Sequence, residues 1–135
     1  MNQEQRDEQK KLGIKRFFKS FTYSWAGLTY AFRYEQSMLV HVLVTLLVIF
    51  VGIVVKLTLA EWIIVLLLIG LVIATELVNT AIEAVVDLSC PEIDPLAKVA
   101  KDTASAAVFI FATVAFICGL ILFVPNIIDY IQSLM

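Results

Sequence analysis

Residues 62–87 read WIIVLLLIGLVIATELVNTAIEAVVD, and this stretch decides the fold. Apolar residues fill it over more than the roughly 20 positions that an α-helix needs to cross the hydrocarbon core of a bilayer. Two further apolar runs have similar length, so the sequence predicts spanning helices at residues 38–56, 61–87 and 99–124. The 135-residue chain is 61% apolar, well above a typical soluble domain. The predicted class is an all-α membrane protein.

The segments outside the spans complete one predicted domain, residues 12–135. Residues 1–11 are charged and lack apolar periodicity, which predicts a flexible cytoplasmic start. Residues 12–34 place aromatic side chains at helical spacing opposite lysines, which predicts an amphipathic helix on the membrane surface. A helix packed on other protein fits the same pattern. Residues 88–96 contain two prolines and form the predicted cytoplasmic loop.

Lysine and arginine are distributed unevenly around the spans. Most of them precede the first span or lie between the second and third, and only Lys56 lies in the other connection. By the positive-inside rule the N-terminus is cytoplasmic and the C-terminus lies outside. Polar sequence precedes the first span, so we expect that span to be retained rather than cleaved as a signal. Pro125 is expected to end the third span before a short outer helix at 126–135.

A polar stripe interrupts the second predicted span. Each residue of an α-helix turns by about 100°, so polar residues at these spacings share an arc of roughly 80°. They are Glu76, Asn79, Glu83 and Asp87. An ionised side chain at the bilayer centre costs about 2.5 to 3.5 kcal/mol on insertion scales, so Glu76 needs a partner, a bound proton or a water-filled site. The stripe descends from the cytoplasmic surface into the membrane.

Basic residues and further carboxylates lie at the same membrane face. Arg16 and Lys19 belong to the predicted surface helix, Lys101 and Asp102 precede the third apolar run, and Glu35 precedes the first span. Phosphoryl transfer requires carboxylates that bind a divalent cation, basic side chains that bind phosphates, and a carboxylate that accepts a proton. Oxygen ligands of this kind suit Mg²⁺.

The residues alone leave other functions open. A small transporter or proton-conducting subunit also carries an intramembrane glutamate, and a structural subunit could bind a partner helix through the stripe. An alternative role for Asp87 is that of a solvated charge at the helix end, paired with Lys98 or Lys101. His41, the only histidine, fits an interfacial position better than a catalytic one. Neither a P-loop nor a soluble-kinase signature occurs, and we expect no nucleic-acid partner.

The stripe belongs to a longer run that resembles a known signature. Residues 76–87, followed by Ala100-Lys101-Asp102 and Ser105-Ala106-Ala107-Val108, are similar to the prokaryotic diacylglycerol kinase family. The segment YSWAGL at 23–28, with Glu35 downstream, is similar to its N-terminal pattern. The resemblance implies a bacterial plasma-membrane enzyme that forms homotrimers with composite active sites. It also implies transfer of the γ-phosphoryl group of ATP to a lipid hydroxyl.

The resemblance implies a role for each matching residue. Glu76 takes the position of the general base, and Glu35 and Glu83 those of the carboxylates that bind Mg²⁺. The implied nucleotide-binding residues are Arg16, Tyr23, Glu35, Glu83, Glu92, Ile93, Asp94, Lys101 and Asp102. The implied lipid-binding or supporting residues are Lys19, Ser24, Trp25, Asn79, Asp87 and Ser105.

Other segments favour one branch of that family. FFKSF at 17–21, LAK at 96–98 and GLILFVP at 119–125 resemble the Gram-positive branch, many of whose members prefer undecaprenol. The loop CPEID at 90–94 lacks the Tyr-His pair of the Gram-negative branch, and His41 replaces a glutamate found there. The resemblance therefore implies undecaprenol as the lipid substrate, with diacylglycerol as the alternative.

Overall fold

The structure, a computed structural model, describes residues 14–135 except for the side chain of Lys15. Its four α-helices are α1 at Ile14–Tyr34, α2 at Gln36–Val54, α3 at Leu59–Ser89 and α4 at Pro95–Leu134. The chain is all-α as predicted, and its last three helices are long and apolar enough to cross a membrane. The predicted flexible start at 1–11, and residues 12–13 of the predicted surface helix, lie outside the described residues.

Two of the spanning helices are longer than the membrane is thick. At about 1.5 Å per residue, the 31 residues of α3 extend about 46 Å and the 40 residues of α4 about 60 Å, against about 30 Å of hydrocarbon. The 19 residues of α2 extend only about 28 Å. Because a short turn joins α2 to α3, the last turns of α3 and the first turns of α4 extend beyond the first residue of α2. We call this projecting end, which carries the loop 90–94, the loop face.

α4 continues through Pro125, so the prediction that this proline ends the third span was wrong. A proline inside a helix removes one backbone hydrogen bond and costs about 3 kcal/mol or more. The next residue adds two contacts: the side-chain amide of Asn126 donates to the carbonyl of Leu122 and to Oε1 of Glu61 in α3, both at 2.8 Å. These contacts hold the end of α4 against α3. Residues 126–135 therefore continue α4 rather than forming the separate outer helix that we expected.

α3 and α4 form the most extensive helix pair. The bond from Asn126 to Glu61 joins them at one end, and an ion pair between Lys101 and Asp87 joins them at the loop face. Nearly equal numbers of residues separate these two contacts on each helix, as an antiparallel pair requires. Between them, the buried or half-buried face of α4 includes Ala104, Val108, Ala112, Ala115 and Gly119. Small side chains let helices approach closely, which is a main source of their attraction in lipid.

The turn between α2 and α3 has a Schellman motif. The backbone N–H of Leu57 donates to the carbonyl of Gly52 at 3.1 Å, and that of Lys56 to the carbonyl of Ile53 at 3.3 Å. Lys56, with a φ of 58°, occupies the left-handed position where glycine is usual. Thr58 then begins α3 with a reciprocal capping box. The motif turns the chain back within a few residues, so α2 and α3 are antiparallel neighbours.

α1 meets α2 at the loop face, where Glu35 alone separates the two helices. The last residue of α1, Tyr34, is also the last residue of the predicted surface helix. α1 contacts α2 and α3, and its residue Ala31 is fully buried. Aromatic side chains of its first turns, including Phe17, Phe18 and Phe21, are exposed. Its placement on a membrane surface stays a prediction.

Candidate active site at the loop face

Glu76 is buried between α2 and α3, with 2% of the residue exposed. The hydroxyl of Ser37 in α2 donates to Oε1 of Glu76. On the other side of the carboxylate, Nε2 of His41 lies 4.0 Å from Oε2. Thr80 donates to the backbone carbonyl of Glu76 at 3.0 Å. The carboxylate that is costly in lipid thus has polar partners on a neighbouring helix.

Asn79, one turn nearer the loop face, is also buried. Its Nδ2 donates to Oε1 of Glu83 at 2.9 Å. Its Oδ1 is buried and accepts no hydrogen bond from any residue that the structure describes. An unsatisfied buried acceptor costs about 1–3 kcal/mol, so this oxygen is available to a ligand.

Glu35 brings a third carboxylate to the same region. It is the N-cap residue of α2, but its side chain makes no capping hydrogen bond. Partial burial, followed by the negative charges of Glu83 and Glu76, raises the pKa of Glu35 above its usual value. The carboxylates of Glu83 and Glu76 therefore lie close enough to repel that of Glu35, and a cation among them would relieve that repulsion.

The donor set fits Mg²⁺ shared with a nucleotide better than a metal enclosed by protein. Within residues 14–135, no group of three or more His, Cys, Asp or Glu side chains has the geometry of a metal site. Mg²⁺ is usually bound by one or two carboxylates together with substrate phosphates and waters. Glu35 and Glu83, with the free oxygen of Asn79 nearby, supply oxygen ligands of that kind.

Charged residues on the projecting turns of α3 and α4 form two ion pairs. Lys101 lies 2.5 Å from Asp87, and Lys98 lies 2.6 Å from Asp102. The first is one of the pairings that the sequence left open for Asp87. Water screens surface pairs of this kind, which therefore contribute little to stability and can be exchanged at low cost for contacts with a ligand.

The candidate residues of α1 make no polar contact with the stripe. Arg16, Lys19 and Tyr23 are exposed, and their side chains form no hydrogen bond or ion pair with another residue that the structure describes. Ser24 donates to the backbone carbonyl of Ser20 at 3.0 Å, and Trp25 is exposed. Within the described chain, the structure therefore brings together the stripe and Glu35 but leaves the α1 candidates apart from them.

The remaining candidates lie on the loop and on the outer side of α4. Asp94 is the N-cap of α4, and its Oδ1 accepts from the N–H groups of Leu96 at 2.7 Å and Ala97 at 3.3 Å. Glu92, Ile93 and Ser105 are exposed. The structure thus gives Asp94 a structural contact and leaves the other three side chains accessible.

The contacts that α2 makes with Glu76 were not predicted from the sequence. Ser37 was not among the candidates, and His41 was interpreted as an interfacial residue. A signal was present, because Ser37, His41 and Thr45 recur every fourth residue in an otherwise apolar helix. Residues at that spacing share one face, so α2 carries a polar line of its own.

Comparisons with known proteins agree with the signature around the stripe. Residues 22–123 match the family described as prokaryotic diacylglycerol kinase. The chain is 42% identical over 114 residues to undecaprenol kinase of Bacillus subtilis, covering 84% of this chain and 93% of that one. Diacylglycerol kinase of Pseudomonas aeruginosa is 38% identical over 102 residues, covering 76% and 83% of the two chains. Diacylglycerol kinase of Escherichia coli K12 is 34% identical over 110 residues, covering 82% and 90%. The chain therefore belongs to the prokaryotic diacylglycerol kinase family and is an ATP-dependent membrane lipid kinase.

Proposed function

We propose that this kinase transfers the γ-phosphoryl group of ATP to the hydroxyl of undecaprenol, giving undecaprenyl phosphate. The choice of undecaprenol as the substrate rests on the 42% identity to undecaprenol kinase of Bacillus subtilis over 93% of that protein. The second candidate is diacylglycerol, giving phosphatidic acid, because relatives at 38% and 34% identity are named diacylglycerol kinase. Family membership gives no support to the transporter or structural-subunit alternatives.

Glu76 is the proposed general base. It lies level with the first turn of α2, because Ser37 is the second residue of that helix. A lipid hydroxyl can reach this depth while its hydrocarbon chain stays in the membrane. Oε2 of Glu76 would take the proton as the hydroxyl oxygen bonds to the γ-phosphorus. The bond from that phosphorus to the bridging oxygen breaks, and ADP leaves.

Glu35 and Glu83 are the proposed ligands of Mg²⁺. The support is their mutual proximity, the raised pKa of Glu35 and the hydrogen bond by which Asn79 orients Glu83. When bound, the ion would neutralise charge on the β- and γ-phosphates. Because the pair supplies few ligands, the phosphates complete the coordination, which makes metal and nucleotide binding interdependent.

The proposed nucleotide contacts surround these carboxylates at the loop face. Lys101 and Asp102 would exchange their surface ion pairs for contacts with the nucleotide. The remaining proposed contacts are Arg16, Tyr23, Glu92, Ile93 and Asp94, and the lipid-side or supporting residues are Lys19, Ser24, Trp25, Asn79, Asp87 and Ser105. The loop face is cytoplasmic in this proposal, where ATP is available, and the C-terminus lies outside.

A homotrimer with composite sites completes the proposal. The support is that Arg16 and Tyr23 make no polar contact with the stripe in the single chain. A neighbouring protomer can present its α1 to the stripe and cover polar groups that three helices leave open to lipid.

A lipid competition assay tests the substrate. Purified protein in mixed micelles receives labelled MgATP and equal mole fractions of undecaprenol and diacylglycerol, and each labelled product is counted. We expect the higher kcat/KM for undecaprenol. A higher value for diacylglycerol would make the second candidate correct. The Glu76→Gln variant should phosphorylate neither lipid while still binding nucleotide.

A further inference from the structure

We propose that Ser37 is a positioning residue that holds the Glu76 carboxylate for proton transfer, and that His41 is a second one that keeps a polar ring beside the other carboxylate oxygen. The proposal rests on the proposed role of Glu76 as general base and deepens it. Both residues belong to α2, whereas Glu76 belongs to α3. They are one helical turn apart and therefore share the face of α2 that meets the carboxylate.

Each positioning residue faces a different oxygen of Glu76. The hydroxyl of Ser37 donates to Oε1. Nε2 of His41 stands 4.0 Å from Oε2, which is beyond hydrogen-bond distance and leaves that oxygen without a direct donor from the ring. Since Glu76 is buried, bulk water does not compete for either oxygen. The carboxylate is thus oriented through one oxygen, while the other accepts no hydrogen bond from a residue that the structure describes.

Orientation matters because the last torsion of a glutamate side chain rotates freely when nothing holds it. A general base must place its oxygen within about 2.6–3.2 Å of the atom that loses the proton. A displacement of about 1 Å can reduce turnover by about a hundredfold. The Ser37 side chain makes no other hydrogen bond within the described chain, so fixing Oε1 is the one polar contact that it makes there.

Two variants of Ser37 distinguish a positioning role of the hydroxyl group from a packing role of the side chain. Ser37→Ala removes the hydroxyl, and Ser37→Thr keeps it. Ser133→Ala is a matched control, because that hydroxyl donates to the carbonyl of Tyr130 at 2.7 Å near the opposite end of α4. The measurements are kcat, KM for MgATP and KM for lipid in mixed micelles, with the unfolding temperature taken in the same detergent.

We expect Ser37→Ala to lower kcat by about ten- to a hundredfold, the effect of one hydrogen bond to a charged carboxylate, with the KM for MgATP unchanged. Ser37→Thr should recover most of that loss, and Ser133→Ala should behave as the unmodified protein. A normal kcat in Ser37→Ala would overturn the proposal for the serine. So would equal losses in the alanine and threonine variants, because the hydroxyl would then be irrelevant.

Two further variants complete the test. His41→Gln keeps a polar N–H group beside Oε2, whereas His41→Leu removes it, so we expect the larger loss of kcat in the leucine variant. Equal, normal turnover in both would remove His41 from the proposal. Turnover in Glu76→Gln would instead overturn the proposed base. An inactive Glu76→Gln together with normal Ser37→Ala and His41→Leu would overturn this inference alone.

Discussion

Single residues of the polar stripe differ in their partners although they lie on one face of one helix. Glu76 contacts α2, Asn79 bonds to Glu83 within α3, and Asp87 pairs with Lys101 of α4. Depth and neighbouring helix therefore differ among side chains that lie within about three helical turns of one another. Buried Glu76 suits proton transfer, while the outer residues suit contact with ions and phosphates.

The carboxylates proposed for Mg²⁺ give a prediction at this scale. Glu35→Gln and Glu83→Gln each remove one charged oxygen ligand, so the Mg²⁺ concentration for half-maximal activity should rise by about tenfold or more. The measurement is an Mg²⁺ titration of phosphoryl transfer at fixed ATP. Asp129→Asn, an equivalent change at an exposed position near the far end of α4, should leave the titration unchanged. A normal titration for either glutamine variant would remove that residue from the metal site.

At the scale of the elements, the turn between α2 and α3 controls how the two helices approach. Gly52 is buried there, and a Cβ at this position would lie 2.9 Å from the indole of Trp62 and 3.0 Å from Leu57. The same two helices carry Ser37 and Glu76 at their other end. A change of spacing at the turn therefore bears on the candidate site.

Gly52→Ala should destabilise the protein by about 1–3 kcal/mol, because the new methyl group forces Trp62 or Leu57 to move. The measurement is the unfolding temperature in detergent. Gly70→Ala is the matched control, since nothing in the described chain lies within 4 Å of the added Cβ and alanine is the better helix former. Equal unfolding temperatures for the two variants would contradict the close contact.

Lys56→Gly should have the opposite effect. Lys56 has a φ of 58°, a conformation that costs a residue with a Cβ about 1 kcal/mol more than glycine. The glycine variant should therefore unfold at a higher temperature in the same assay. Lys56→Ala removes the charge but keeps the Cβ, so it should gain little. An equal gain in both variants would assign the effect to the charge rather than to the backbone.

At the scale of the whole molecule, two of the proposed nucleotide contacts lie apart from the stripe within one chain. The stripe and Glu35 gather at the loop face, but Arg16 and Tyr23 on α1 make no polar contact with them. Composite sites predict that two inactive variants can restore one another. This outcome is specific to an assembly in which neighbouring chains share a site.

Mixing Glu76→Gln with Arg16→Ala tests this expectation. Each variant alone should show little turnover. In a cyclic trimer that contains both variants, one of the three composite sites would combine an intact Glu76 with an intact Arg16 from the neighbour, so activity should return to about a third of the unmodified level. Differently tagged chains, purified in sequence through both tags, establish that the assemblies are mixed. No recovery in such assemblies would place both residues of a site in the same chain.

The sequence predicted the apolar helices more accurately than the contacts between them. The three spans and the acidic stripe follow from apolar length and helical spacing, and the signature around residues 76–87 identified the family. The sequence predicted a helix end at Pro125, but α4 continues through this proline. Proline destabilises a helix considered by itself, whereas the hydrogen bond from Asn126 to Glu61 comes from the packing of α4 against a second helix.

The sequence by itself determined that the chain is a helical membrane protein with an acidic stripe, because apolar runs of about 20 residues cross a bilayer as hydrogen-bonded helices and every charge buried there is costly. The tertiary structure alone decided which side chains meet that site. Ser37 and His41 are far from Glu76 along the chain, and only the close approach of α2 to α3 places them on its two oxygens. Such contacts depend on the register and spacing of the two helices. Gly52 and the turn between α2 and α3 determine that register and spacing, and the periodicity of either helix alone does not encode them.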